Sequence, residues 1–289
     1  MTAQPATYGA LLDAVRGVRW PVRRAVPGAM PGAHQSRQRG ASAEFTEYRP
    51  YRQGDDTRRI DWKLLARSDR AYIRLATDRA VLPTLLVVDA SMSMAFPAAA
   101  LSKWSVARQV AVALAAIAHA SGDPVGLAVS GARGLVALAP RTRRGVVGEI
   151  ARTLDALAPG GDVPLAPALA LARPGQRVAL VSDLLGDATE IASAGARHLA
   201  AGGELFVIHV VAREELDPPA RGVLATDPER PSVRRALVEQ TRADYLRAFG
   251  EWREEMARAW RAAGAVYSLV ATDDQIERVV RRIVQPARA

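Results

Sequence analysis

From residue 81 onward the chain predicts an α/β fold, with a mostly parallel sheet covered by helices on both faces. Three observations carry that reading. Short, β-branched apolar runs recur at Pro83-Thr-Leu-Leu-Val-Val-Asp89 and Arg177-Val-Ala-Leu-Val-Ser-Asp183, the pattern of strands buried on both faces. Segments with a helical apolar period separate the strand-like runs. Each of the two runs also ends on a carboxylate, and in parallel sheets of this kind ligands bind outside the carboxyl ends of the strands.

The elements follow in order. The strand at 83–89 leads into a long helix at about 99–121, with Trp104, Ala107, Val110, Ala111, Leu114 and Ile117 on one face. Residues 125–130 and 135–138 are two short strands joined by the turn Gly131-Ala-Arg-Gly134, and helices follow at about 145–158 and 165–172. After the strand at 177–183 come a helix at 188–201 and a strand at 204–211. Residues 212–232 form a connector of low regularity. A helix at 241–262, a strand at 266–270 and a helix at 274–284 complete the chain. Trp252 and Trp260 lie eight apart on one helix face and are expected to be buried, with Arg253, Glu254, Glu255 and Arg258 on the solvated side.

Upstream of residue 81 the pattern differs. Residues 1–33 read as a basic, weakly ordered arm with a short helix at about 8–16, broken by Pro21, Pro27, Gly28, Pro31 and Gly32, and lying outside the main core. Residues 34–80 are polar and turn-rich, with a helix at 61–67 capped by Asp61, a strand at 71–76, and Ile60 and Trp62 as anchors. The expected division is therefore 1–33, 34–80 and 81–289.

Composition removes several chemistries. With 289 residues and no cysteine, the chain has no disulfide, thiolate zinc site, iron–sulfur cluster or cysteine nucleophile. Four scattered histidines leave little material for an imidazole-rich metal site. The longest apolar run, 110–118, is far shorter than the roughly 20 residues of a membrane span. Asp13 and prolines stand where a secretory apolar core would be, so the sequence reads as cytoplasmic. The net charge of +9 is concentrated at the front: residues 1–80 hold 15 basic and 8 acidic side chains, and 37 of the 39 cations are arginine. Such an arm suits an anionic partner, but no aromatic interleaving or reading helix accompanies it, which argues against nucleic acid.

The candidate chemistry sits in Asp89-Ala90-Ser91-Met92-Ser93. In an extended loop, positions i, i+2 and i+4 point the same way, so one carboxylate and two hydroxyls converge. Oxygen donors without nitrogen or sulfur suit a hard cation, Mg²⁺ first and Mn²⁺ or Ca²⁺ after it, and Asp183 adds a second carboxylate on the same edge. Ser91, Ser93 and Asp183 could instead only cap following helices. No Gly-x-Ser-x-Gly elbow surrounds the serines, and no Walker-type loop is present.

The Asp89–Ser93 string in an alternating α/β chain resembles the metal-ion-dependent adhesion site of von Willebrand factor A domains. Upstream, Gly40-x3-Glu44-Phe-x-Glu-Tyr-Arg-Pro-Tyr-x2-Gly-Asp-Asp-x-Arg-Arg-Ile-Asp-Trp62, continuing to Ala66-Arg67, resembles the signature of the bacterial domain of unknown function 58 family, from about residue 33 to the C-terminus. The resemblance implies a von Willebrand A-like domain and a non-enzymatic, metal-assisted protein-binding module, often encoded beside MoxR-type AAA+ ATPases. It places the metal on Asp89, Ser91, Ser93 and Asp183. The family's third-loop threonine has no counterpart in Gly160-Gly-Asp-Val-Pro-Leu165: aligned on the glycines, Asp162 takes its place, and aligned on Pro-Leu, Val163 does, leaving the site short of a ligand or free of metal. The alternative is a Mg²⁺-dependent phosphohydrolase using Asp89 as nucleophile, although enzymes of that design carry Asp where Ser91 stands.

Overall fold

The computed structural model describes residues 8–23, 31–35, 44–53, 55, 57–77, 79–97, 102–161, 163–219, 223–226, 234–237 and 239–285. The chain divides into two compact units, Met1–Pro21 with Pro83–Ala289, and Val22–Leu82.

The larger unit is built on a six-stranded sheet of β1 (Thr84–Ala90), β2 (Val125–Gly131), β3 (Gly134–Arg141), β4 (Arg177–Ser182), β5 (Glu204–Val211) and β6 (Val266–Ala271). Its spatial order is β6-β5-β4-β1-β2-β3, and every neighbouring pair is parallel except β2 with β3. The chain first steps from β1 to β2, then crosses back to β4 and continues outward to β5 and β6. The switch point of the sheet therefore lies between β1 and β4. Strands β1 and β4 are neighbours: Val88 faces Val181 in parallel register, which leaves Asp89 beside Ser182 at the carboxyl edge.

Helices cover both faces, as the alternation predicts. Leu86 and Val88 point into a layer formed by α1 (Gly9–Ala14), α2 (Lys103–Ala120), α3 (Val146–Asp155) and, near the C-terminus, Ile276–Val284. Leu85 and Val87 point the other way, into Ala166–Leu169, Ala188–Ala200 and the inner side of Glu239–Ala262. Successive residues of β1 thus meet opposite apolar layers, which is why the strand is apolar throughout. Helix α2 lies deepest. Val110 to Leu114 are fully buried, and alanines at 107, 111, 113, 115 and 118 allow close approach to the sheet. Within the expected connector, Arg213–Leu216 forms one helical turn, and Val223–Thr226 pairs antiparallel with Arg234–Leu237.

Residues 8–20 correct the expectation of an arm outside the core. Tyr8, Val15, Val18 and Trp20 are buried in the main apolar cluster. The Tyr8 hydroxyl donates to Asp155 Oδ1 at 2.8 Å, an oxygen that also accepts from Arg108 at 2.7 Å. Trp20 is fully buried, edge-on to Phe206 at 4.9 Å, and the Arg177 guanidinium lies 4.4 Å from its ring centroid. Arg177 is itself fully buried, paired with Glu204 at 3.1 Å, and donates to the Pro21 carbonyl at 3.1 Å. The prolines and arginines that follow this stretch make it look like the start of a tail; its four buried side chains, and the Arg177 guanidinium packed on Trp20, make it part of the core.

In the smaller unit, Glu44–Pro50 pairs antiparallel with Tyr72–Thr77, and Trp62–Ser68 forms a helix. Asp61 caps that helix as expected, accepting the N–H groups of Lys63 and Leu64 at 3.0 Å, while its other oxygen accepts the Tyr48 hydroxyl at 2.8 Å. Arg49 holds Asp55 through two bonds of 2.8 and 2.9 Å, and the guanidinium keeps that carboxyl below its ordinary range. Two pairs within the polar string upstream, Tyr48 with Asp61 and Arg49 with Asp55, are thus bonded to one another. Trp62 is 61% exposed, contrary to its expected role as a buried anchor.

Removing the Trp20 ring leaves a cavity beside Phe206 and strips a face from a buried guanidinium. Trp20→Ala is expected to lower stability by about 3–5 kcal/mol in urea unfolding followed by far-UV circular dichroism. A loss under about 1 kcal/mol would show that the segment is peripheral after all.

Candidate functional site

Strand β1 ends by turning its carboxylate into the edge of the sheet. Asp89 is 3% exposed. Its Oδ1 accepts the Ser91 N–H at 2.8 Å, and its Oδ2 accepts the Ser182 hydroxyl at 2.6 Å. The Ser91 and Ser93 hydroxyls lie 3.0 Å apart, so the expected convergence of the alternate positions is present. Burial, and after it the charge of Asp183, pushes the Asp89 carboxyl up to about 6, against the hydrogen bonds from Ser182 and Ser91.

The third loop is stitched to this one through backbone. Gly160 donates to the Ala90 carbonyl at 2.8 Å, and the Gly161 carbonyl accepts from Met92 at 3.0 Å. Gly161 has φ +74°, a conformation that glycine adopts without steric cost. Val163 lines a narrow cleft of about 60 Å³ with Asp89, Ser91, Pro164, Glu190 and Ile191, and its side chain has no oxygen to offer. Asp162 lies outside the described residues.

Asp183 is committed elsewhere. Its Oδ2 accepts from the Lys103 ammonium at 2.7 Å, and the same ammonium donates to Glu215 Oε1 at 2.8 Å. Lys103 is 1% exposed. Burial draws its pKa down, but the Asp183 and Glu215 carboxylates outweigh burial and hold it above the ordinary lysine value. The second oxygen of Glu215 accepts the Ala212 N–H at 2.7 Å, and the Tyr245 hydroxyl donates to its carbonyl at 3.1 Å. Beyond Asp183 the chain passes through Leu184 at φ +57°, a left-handed conformation rare for leucine. Neighbouring His209 bonds the Tyr267 hydroxyl through Nδ1 at 2.6 Å, and burial draws it down to about 4, so it is neutral at physiological pH.

Sequence reasoning brought Asp89, Ser91, Ser93 and Asp183 to this edge but missed Lys103, Ser182 and Glu215. Lys103 did carry a signal: it is one of two lysines in a chain with 37 arginines, at the entry of the helix that follows the Asp89 loop. Ser182 stands beside Asp183 at the strand end, and its position there carries no signal of a bond to Asp89. Glu215, in the connector, carried no local signal.

A divalent ion on the expected ligands needs carboxylates free to face it. Asp183 instead faces the Lys103 ammonium, so an ion beside Asp89, Ser91 and Ser93 would meet a buried positive charge where its second carboxylate should be. Among the described residues no three Asp, Glu or His side chains converge as a metal cluster. The set, as arranged, does not fit a divalent ion.

The family model described as "Protein of unknown function DUF58" matches residues 47–255. The chain belongs to this family. Uncharacterized proteins Rv1480 of Mycobacterium tuberculosis (strain ATCC 25618 / H37Rv) and Mb1516 of Mycobacterium bovis are each 30% identical over 288 residues, covering 96% of this chain and 90% of theirs. Solved structures of similar shape include an aerotolerance-related membrane protein from Bacteroides fragilis (16% identity, TM-score 0.46, 70% of this chain and 96% of that one). The SpRpn10 VWA domain is another (13% identity, TM-score 0.43, 72% and 96%). The larger unit has the mainly parallel sheet, reversing its strand order between β1 and β4 and covered by helices, that the von Willebrand A-like expectation calls for. No described helix is long and apolar enough to cross a membrane.

The raised Asp89 pKa has a definite consequence for stability. The folded state holds that proton more tightly than the unfolded chain, so the stabilisation from protonation is complete below about pH 4 and is lost as pH rises through about 6. Relative to Asp89→Asn, the wild type should lose about 1 kcal/mol between pH 5 and 7 in urea unfolding. Parallel stability curves would show a carboxylate ionised throughout that range.

Proposed function

We propose that the chain is a non-enzymatic protein-docking module whose partner binds the carboxyl edge of the sheet around Asp89, Ser91 and Ser93, and that it works with a MoxR-type AAA+ ATPase in the assembly or maturation of protein clients. One observation carries the reading. Met92, Phe96 and Leu185 are 40%, 40% and 45% exposed, and all three lie in the loops that leave β1 and β4 beside the buried polar cluster. Large apolar side chains held in water by tight loops suit a contact surface, where a few well-packed residues dominate binding. The hydrogen bonds that orient Asp89, Ser91 and Ser182 fix these loops to the rigid sheet, so the apolar contacts are presented with little conformational entropy left to lose on binding.

The phosphohydrolase alternative has less support. A nucleophilic Asp89 would need to meet a phosphate ester, and it is 3% exposed, with Ser91 standing where enzymes of that design carry Asp.

Binding of a purified MoxR-type ATPase to the immobilised protein, followed by biolayer interferometry, tests the reading. The double variant Met92→Ala/Leu185→Ala is expected to weaken binding at least about tenfold, roughly 1.4 kcal/mol, with an unchanged melting temperature. Equal affinity in both proteins would remove this edge as the docking face. Turnover of p-nitrophenyl phosphate with Mg²⁺ that disappears in Asp89→Asn would favour the enzyme.

A further inference from the structure

We propose that the cation of this site is built into the chain: the Lys103 ammonium takes the electrostatic role that a divalent ion would have at the carboxyl edge, and the site is complete without metal.

The geometry leads to this directly. Lys103 is 1% exposed, and its nitrogen sits 2.7 Å from Asp183 Oδ2 and 2.8 Å from Glu215 Oε1. An ammonium has three donors and no acceptor, and two of its donors are used by carboxylates from separate elements. One carboxylate follows β4 and the other lies in Arg213–Leu216, so the cation joins the ends of two strands as a shared metal would. Without it, Asp89, Asp183 and Glu215 would leave three negative charges in a poorly hydrated edge. With it, the formal sum with Asp89 ionised is −2.

The residue type supports the same reading. Thirty-seven of 39 basic side chains are arginine, yet this position is lysine. A guanidinium is a broad planar fork, whereas an ammonium is a compact point charge on a flexible stem, the closer match to a small ion. Lys103 also occupies the first turn of α2, where the helix dipole disfavours a cation. The two carboxylates, not helix preference, account for its placement.

This inference takes the docking edge as its location and does not need docking as a premise, so its test uses metal alone. Mn²⁺ binding to the full chain is measured by electron paramagnetic resonance, in wild type, Lys103→Met and Asp89→Asn, with thermal unfolding in EDTA and in excess Mn²⁺. The wild type is expected to bind Mn²⁺ more weakly than about 1 mM and to melt at the same temperature in both conditions, since an ion that does not bind cannot stabilise the fold. Lys103→Met exposes Asp183 and Glu215 to one another and is expected to bind Mn²⁺ at least tenfold more tightly and to gain melting temperature with the metal. A merely structural lysine would give no such gain. Should Lys103→Met fail to fold, Lys103→Met/Glu215→Gln removes one buried charge along with the ammonium and takes its place. Micromolar Mn²⁺ binding by wild type that is lost in Asp89→Asn would overturn the proposal, and so would a folded Lys103 variant with no gain in affinity. Failure of the ATPase to bind leaves these titrations unaffected, so the two readings fail separately.

Discussion

A buried ammonium between two carboxylates holds the carboxyl edge of this sheet together. Taking a charged amine out of water costs several kcal/mol unless its hydrogen bonds and charge are met. Lys103 meets that cost with Asp183 and Glu215, one from the end of β4 and one from the turn after β5. The loop arrangement follows from that pairing. Leu184 adopts a left-handed conformation immediately after Asp183, and Glu215 closes the turn at Ala212 with its second oxygen. Asp89, excluded from the ammonium, is held by hydroxyl and amide donors instead and retains its proton to higher pH than an ordinary carboxylate.

The other end of the sheet is closed by a second buried cation with a different task. Arg177 opens β4, pairs with Glu204 at the start of β5, and holds its guanidinium carbon over the Trp20 ring, 4.4 Å from the centroid. A guanidinium suits that position because its flat face stacks while its edge donates. One strand thus begins on an arginine that fastens the N-terminal segment and ends on an aspartate that engages a lysine. Between them the sheet is apolar on both faces, a rigid support for the exposed Met92, Phe96 and Leu185.

Much of this arrangement was legible in the sequence because it is local. The runs ending at Asp89 and Asp183 announced two buried parallel strands, and the alternate spacing of Asp89, Ser91 and Ser93 announced a converging oxygen set. The segment 8–20 was misread because its contacts lie some 150 residues away, with Asp155, Arg177 and Phe206, and no periodicity within thirteen residues could report them. Lys103 and Glu215 escaped for the same reason: a pair separated by 112 positions leaves no spacing to read.

Whether this edge carries its own cation can be seen in a crystal structure of the wild-type chain grown in millimolar Mn²⁺, with anomalous data collected to locate the metal. No anomalous peak is expected within coordinating distance of the Ser91 and Ser93 hydroxyls, and the Lys103 nitrogen should still bridge Asp183 and Glu215. A manganese peak on Asp89, Ser91 and Ser93, with Lys103 displaced from Asp183, would contradict it.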